Sequence, residues 1–218
     1  MEEFSYSGGR GVISVAELDA NGRFGRPRIV LEEAHHLSYP NVFAHEGQIF
    51  MIPESSAANR VVLYRADPFP DRWCQECVLI EGKRFADATL LAFGGRLWIF
   101  GTEQIAGGSA SDTMAIYSAE RLNGPWVPHP LNPVAIDRAG ARPGGRVIET
   151  GGKLFLPVQN GTKTYGGGLG LREIITLNDG DIQLGPTVPI LDTAGKEHAS
   201  LHTLNRVGRL EVIDQLSP

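Results

Sequence analysis

Gly94-Gly95-Arg96-Leu97-Trp98-Ile99-Phe100 is one of four versions of a single short unit in this chain. The others are Glu46-Gly47-Gln48-Ile49-Phe50-Met51-Ile52, Gly151-Gly152-Lys153-Leu154-Phe155-Leu156-Pro157 and Val207-Gly208-Arg209-Leu210-Glu211-Val212-Ile213. Aligned on Gly47, Gly95, Gly152 and Gly208, the copies lie 48, 57 and 56 residues apart. That period belongs to propeller blades rather than to helical repeats. In each copy a turn glycine precedes an apolar, partly aromatic run, as in the second strand of a β-hairpin. A propeller gathers the inner strand of every blade around one axis, so polar residues distant in sequence can meet at one mouth.

The rest of each blade is read outward from these units. First hairpin strands fall at 39–44, 88–93, 145–149 and 201–205, third strands at 60–66, 113–119 and 171–177, and fourth strands at 74–80, 126–134 and 183–191. The fourth copy stops after two strands, and 10–16 and 26–31 resemble the missing third and fourth. The expectation is therefore an all-β chain, 1–218 as a single β-propeller domain of four blades. Pairing of 12–16 with 210–213 would close the ring and cover its open edges.

Composition narrows the class. The 218 residues carry a formal charge of −5, with Lys and Arg scattered, which lacks the basic footprint of a nucleic-acid binder. No apolar run is long enough to span a bilayer and no leader pattern opens the chain, so the expected setting is cytoplasmic, without membrane or nucleic-acid partners. Self-association into a homo-oligomer stays open. The only cysteines, Cys74 and Cys77, sit in a strand-like run without further ligands at metal spacing, so they read as ordinary thiols. No metal and no cofactor is expected. The glycine run at 166–168 precedes a strand rather than a helix and does not read as a phosphate cradle.

Several segments carry a family likeness: His36-Leu37-Ser38-Tyr39-Pro40-Asn41-Val42-Phe43, Met51-Ile52-Pro53-Glu54-Ser55, Phe85-Ala86-Asp87-Ala88-Thr89, Gly124-Pro125-Trp126-Val127-Pro128-His129-Pro130, Ala141-Arg142-Pro143-Gly144-Gly145-Arg146 and Tyr165-Gly166. Together they resemble the amino-terminal domain of glucosamine inositolphosphorylceramide transferases. The resemblance implies a propeller related to the five-bladed arabinanase- and invertase-type glycoside hydrolases. Two departures stand out. The family's extra blade, with its alanine-aspartate-proline motif, has no counterpart before His36, and Asn160 stands where an aspartate usually follows the glutamine matched by Gln159. The chain is then either a four-bladed contraction or a fragment of a five-bladed propeller. Met1 and the complementary terminal halves favour the former.

Candidate site residues cluster at the starts of the inner strands and the ends of their partners. Ser38, Tyr39, Asp87, Arg142, Arg146 and His202 open inner strands; Glu54 and Gln159 end second strands; Tyr165 follows, and Glu173 lies on a third strand. Carboxylates, guanidiniums, an imidazole and a tyrosine in one opening suit a polyhydroxylated ligand, because each hydroxyl both donates and accepts. Each has a structural alternative: Asp87 as a turn acceptor, Arg142 and Arg146 as braces to Glu54 or Glu173, His202 as a core imidazole. The expected function is recognition of a glycan, amino sugar or nucleotide sugar. A glycosidase would need two carboxylates about 5–10 Å apart, Asp87 with Glu54 or Glu173. A protein-interaction propeller is the third alternative. On the binding reading Asp87→Asn weakens ligand affinity by roughly 1–3 kcal/mol and leaves the fold intact.

Overall fold

The computed structural model describes residues 1–105, 107–164, 166–191 and 201–215, which form two compact units divided after Phe85. The first unit contains β1 (Glu2–Ser5), β2 (Arg10–Val15), β3 (Arg28–Leu31), β4 (Ser38–His45), β5 (Gln48–Glu54), β6 (Arg60–Ala66) and β7 (Trp73–Glu81). Strands β1 to β3 make one antiparallel sheet and β4 to β7 a second, four-stranded one. Ile13, Leu31, Leu37, Met51, Val62 and Tyr64 bury their side chains together as the core of this unit. Burial of each such side chain is worth about 1.5–3 kcal/mol.

The expected pairing of 12–16 with 210–213 is not made. Strand β2 has β1 on one edge, with Val12 opposite Glu3, and β3 on the other, with Ile13 opposite Leu31. Both edges of β2 are filled by local hairpins, whose short closures cost less chain entropy than a ladder spanning nearly the whole sequence.

The second unit contains β8 (Phe85–Phe93, from its second residue), β9 (Arg96–Glu103), β10 (Thr113–Ala119), β11 (Val127–Pro128), β12 (Ala135–Ile136), β13 (Arg142–Pro143), β14 (Ile148–Thr150), β15 (Lys153–Gln159), β16 (Leu169–Leu177), β17 (Ile182–Pro189), β18 (Leu201–Val207) and β19 (Leu210–Gln215). Three sheets result: β8 to β12, β13 to β17, and the hairpin β18–β19. Trp98, Phe100, Met114 and Ile116 from the first of these pack against Ala141, Leu156, Val158, Ile174 and Leu177 of the second. Among the described residues no helix is long and apolar enough to cross a membrane.

The repeat is visible in the backbone. In the first three hairpins the two turn residues, Glu46-Gly47, Gly94-Gly95 and Gly151-Gly152, all have positive φ, the requirement of a type I′ turn. The fourth hairpin differs: Val207 pairs with Leu210, so Gly208 is the first turn residue and not the second. Register, rather than the glycine, therefore aligns Arg209 with Gly47, Gly95 and Gly152.

The strand expected over 126–134 is replaced by two short bridges, β11 and β12. Pro128, Pro130 and Pro133 cannot donate to a ladder. The Asn132 amide fills the gap: its Oδ1 accepts from the Ile116 N–H at 2.9 Å and its Nδ2 donates to the Ile116 carbonyl at 2.8 Å, as an opposing peptide group would.

Tyr64 offers a test of packing in the first unit. Burial, and then its hydrogen bond to Glu33 Oε1 at 2.9 Å, push its hydroxyl well above the ordinary value of 10.0. A raised pKa means the fold holds this proton more tightly than the unfolded chain does. Stability is then fully present below about pH 10 and falls as pH rises beyond it. Tyr64→Phe is expected to flatten that alkaline loss in urea unfolding measured between pH 8 and 11; an unchanged slope would show that other groups cause it.

Candidate functional site

The polar centre of the second unit is built on a backbone feature. Asp87 has φ +54, a left-handed conformation that aspartate tolerates better than most side chains. Tyr39, at the equivalent position before its hairpin in the first unit, has φ +41, which is much less common for a bulky residue. Non-glycine residues held in this region concentrate where function needs a side chain aimed off the regular pleat.

Asp87 is 2% exposed. Its Oδ2 accepts from Arg142 Nε at 2.6 Å and from Gln159 Nε2 at 2.8 Å, while among the described residues Oδ1 receives no donor. Arg142 and Gln159 are brought together because they face each other across the β13–β15 ladder. The Gln159 amide uses its second proton on the Pro143 carbonyl at 2.7 Å, so both donors of that buried group are satisfied. Arg142 Nη1 also donates to Ser111 Oγ at 3.1 Å. Beside this cluster lies a cavity of about 70 Å³ lined by Ser111, Arg138, Arg142, Gln159, Gly161 and Gly166.

The other candidate residues of this unit are elsewhere. Arg146 is exposed and lines a separate cleft of about 650 Å³ with Leu90, Phe93, Glu149 and Arg206. His202 Nδ1 lies 3.3 Å from Asp214 Oδ2 on the neighbouring strand. Glu173 pairs with Lys153 Nζ at 3.0 Å and sits opposite Phe155, whereas Gln159 is opposite Leu169. Along β15 these two positions are four residues apart, about 13 Å. The brace expected of Arg142 exists and is made to Asp87. Tyr165 lies outside the described residues.

In the first unit Ser38 and Glu54 face each other across β4 and β5. Glu54 is buried; its Oε2 accepts from Ser38 Oγ at 3.1 Å and its Oε1 from the Ser56 N–H at 2.9 Å. Tyr39 is half-buried beside them in sequence.

Ser111 and Arg138 are residues that sequence reading missed. Both lie in loops without periodic pattern; only the proximity of Arg138 to the Ala141–Arg146 segment hinted at it.

Comparison with known proteins agrees with this architecture. Residues 5–211 match the family model of the N-terminal region of glucosamine inositolphosphorylceramide transferase 1. Glucosamine inositolphosphorylceramide transferase 1 of Oryza sativa subsp. japonica is 38% identical over 161 residues, 72% of this chain and 22% of that protein. Its Arabidopsis thaliana counterpart is 34% identical over 153 residues, 69% and 20% respectively. The chain thus corresponds to about a fifth of the length of these relatives. Among solved structures, an exo-β-1,3-galactanase from Clostridium thermocellum superposes with a TM-score of 0.61 at 14% identity, covering 87% of this chain and 48% of that one. The Cellvibrio cellulosa α-L-arabinanase complexed with arabinohexaose gives 0.57 at 14% identity, covering 80% and 68%. These likenesses concern the fold, an all-β propeller architecture. With a family model spanning nearly all of it, the chain belongs to the family of the glucosamine inositolphosphorylceramide transferase 1 N-terminal region.

Proposed function

We propose that this chain is a carbohydrate-recognition propeller whose second unit reads hydroxyl groups at the Asp87, Arg142 and Gln159 cluster. The observation that carries the reading is Asp87 itself: a buried carboxylate, turned off the pleat by a positive φ, with Oδ2 held by two donors and Oδ1 free to accept among the described residues. Asp87 holds Arg142 and Gln159 in place, and a sugar hydroxyl in the adjoining cavity can exchange hydrogen bonds with Ser111, Arg142 and Gln159, which line it, in the paired donor and acceptor pattern that polyols require. The comparisons support the same class. The related transferases are named for glucosamine, and the arabinanase was solved with arabinohexaose.

Binding is favoured over hydrolysis because, within this unit, Glu173 is engaged by Lys153 at 3.0 Å and pairs four residues along β15 from the Gln159 that holds Asp87. Calorimetric titration with a panel of neutral monosaccharides, amino sugars and nucleotide sugars, together with an aryl-glycoside assay, tests the proposal. The expected result is binding without turnover, and Ser111→Ala is expected to lower affinity about two- to tenfold, the loss of one hydrogen bond. Enzymatic turnover abolished by Asp87→Asn would overturn the binding reading, and failure of every sugar to bind would overturn the carbohydrate class.

A further inference from the structure

The small cavity beside Asp87 has more cationic donors than the cluster needs. Arg142 is balanced by Asp87 at 2.6 Å. Arg138 is exposed at the cavity wall, and among the described residues no carboxylate lies within ion-pair distance of its guanidinium. Lys163, on the loop that supplies Gly161 and Gly166, likewise has no carboxylate partner among them. The two acidic residues next in sequence to the wall keep their charge but accept local hydrogen bonds, and neither lies within ion-pair distance of Arg138. Asp112 Oδ1 accepts from Thr113 Oγ1 at 3.1 Å, and Asp137 Oδ1 from the Ala139 N–H at 2.8 Å.

Size points the same way. About 70 Å³ is far below the roughly 300 Å³ at which pockets enclose whole small ligands, so the cavity admits a substituent and not a sugar ring. Gly161 and Gly166 present bare backbone there, which lets a compact group approach closely. A neutral hydroxyl would leave the uncompensated charge of Arg138 unused; an oxyanion would use it in a charge-assisted hydrogen bond, the stronger kind.

Resting on the proposed recognition of sugars, we infer that this cavity takes the anionic substituent, a carboxylate or a phosphate, of a sugar ligand, and disfavours a cationic amino sugar. Titration of the full chain near pH 7 at low ionic strength with glucose, glucosamine, glucuronate, glucose 6-phosphate, inorganic phosphate and acetate tests it. At least one of glucuronate and glucose 6-phosphate is expected to bind about tenfold more tightly than glucose, the difference between a charged and a neutral hydrogen bond. Whichever of the two is tighter identifies the oxyanion. Glucosamine is expected to bind more weakly than glucose. In Arg138→Gln, whose exposed side chain can be replaced without disturbing the core, the anionic advantage is expected to fall to about threefold or less. Glucose matching both anionic sugars, or glucosamine exceeding them, would overturn the inference while leaving sugar recognition standing. Binding of phosphate or acetate without any sugar would uphold the oxyanion site and overturn the sugar reading, and silence from all six probes would overturn both.

Discussion

Asp87→Ala is expected to destabilise the protein by about 3–5 kcal/mol, the range for removing one partner of a buried ion pair. Asp87 and Arg142 are 3% and 14% exposed at their side chains, and Gln159 is buried beside them. Alanine would strand a guanidinium and an amide donor away from water, and the cost of that desolvation outweighs the lost contacts themselves. Asp87→Asn keeps the shape but not the charge: its amide oxygen can still accept from Arg142 and Gln159 in place of Oδ2, with Nδ2 at the Oδ1 position, donor-free among the described residues, but the ion pair is lost. Asp87→Asn is therefore expected to leave the fold intact with a loss of stability smaller than that of alanine. Arg142→Ala combined with Asp87→Ala should cost clearly less than the two single changes added together, since each alone leaves the other's buried charge without its ionic partner. Urea midpoints of the four proteins check this. Additive losses would mean that the pair is not coupled and that Asp87 acts alone.

Gly145→Ala is expected to cost at least about 3 kcal/mol, combining backbone strain with overpacking. Its φ of +145 lies where side chains are strongly disfavoured, and an added Cβ would sit 1.8 Å from the Leu204 carbonyl oxygen. That obstacle is backbone and cannot swing aside. The neighbouring Gly144 carbonyl accepts from the Leu204 N–H at 2.8 Å, so forcing the chains apart would also break a main-chain hydrogen bond between β18 and the loop joining β13 to β14. Gly151→Ala is the control: it has φ +58 but no atom within 4 Å of its added Cβ, so only the strain remains, about 1–2 kcal/mol. Thermal and urea unfolding of the two variants separate the terms. Equal losses would show that the close approach to Leu204 contributes nothing.

How far sequence could carry the reading depends on the range of the interaction concerned. Turn glycines and a two-residue apolar alternation act within a few residues, and on that basis β6 and β10 run over the residues expected, 60–66 and 113–119. The same locality explains the slip at Gly208, because glycine accepts positive φ at either turn position and only pairing of Val207 with Leu210 decides which. It also explains why 126–134 read as a strand: nothing local announces that the Asn132 side chain substitutes for a peptide group against Ile116. Asp87, Arg142 and Gln159 were each legible as polar residues at strand ends. That Arg142 meets Asp87, 55 residues earlier, and that Arg146 turns to another cleft, only the tertiary structure decided. A side chain's nearest charge is set by which strand edges pair and at what offset. Those offsets come from long-range packing of faces such as Trp98 and Phe100 against Leu156 and Val158, for which no single stretch of sequence carries the register.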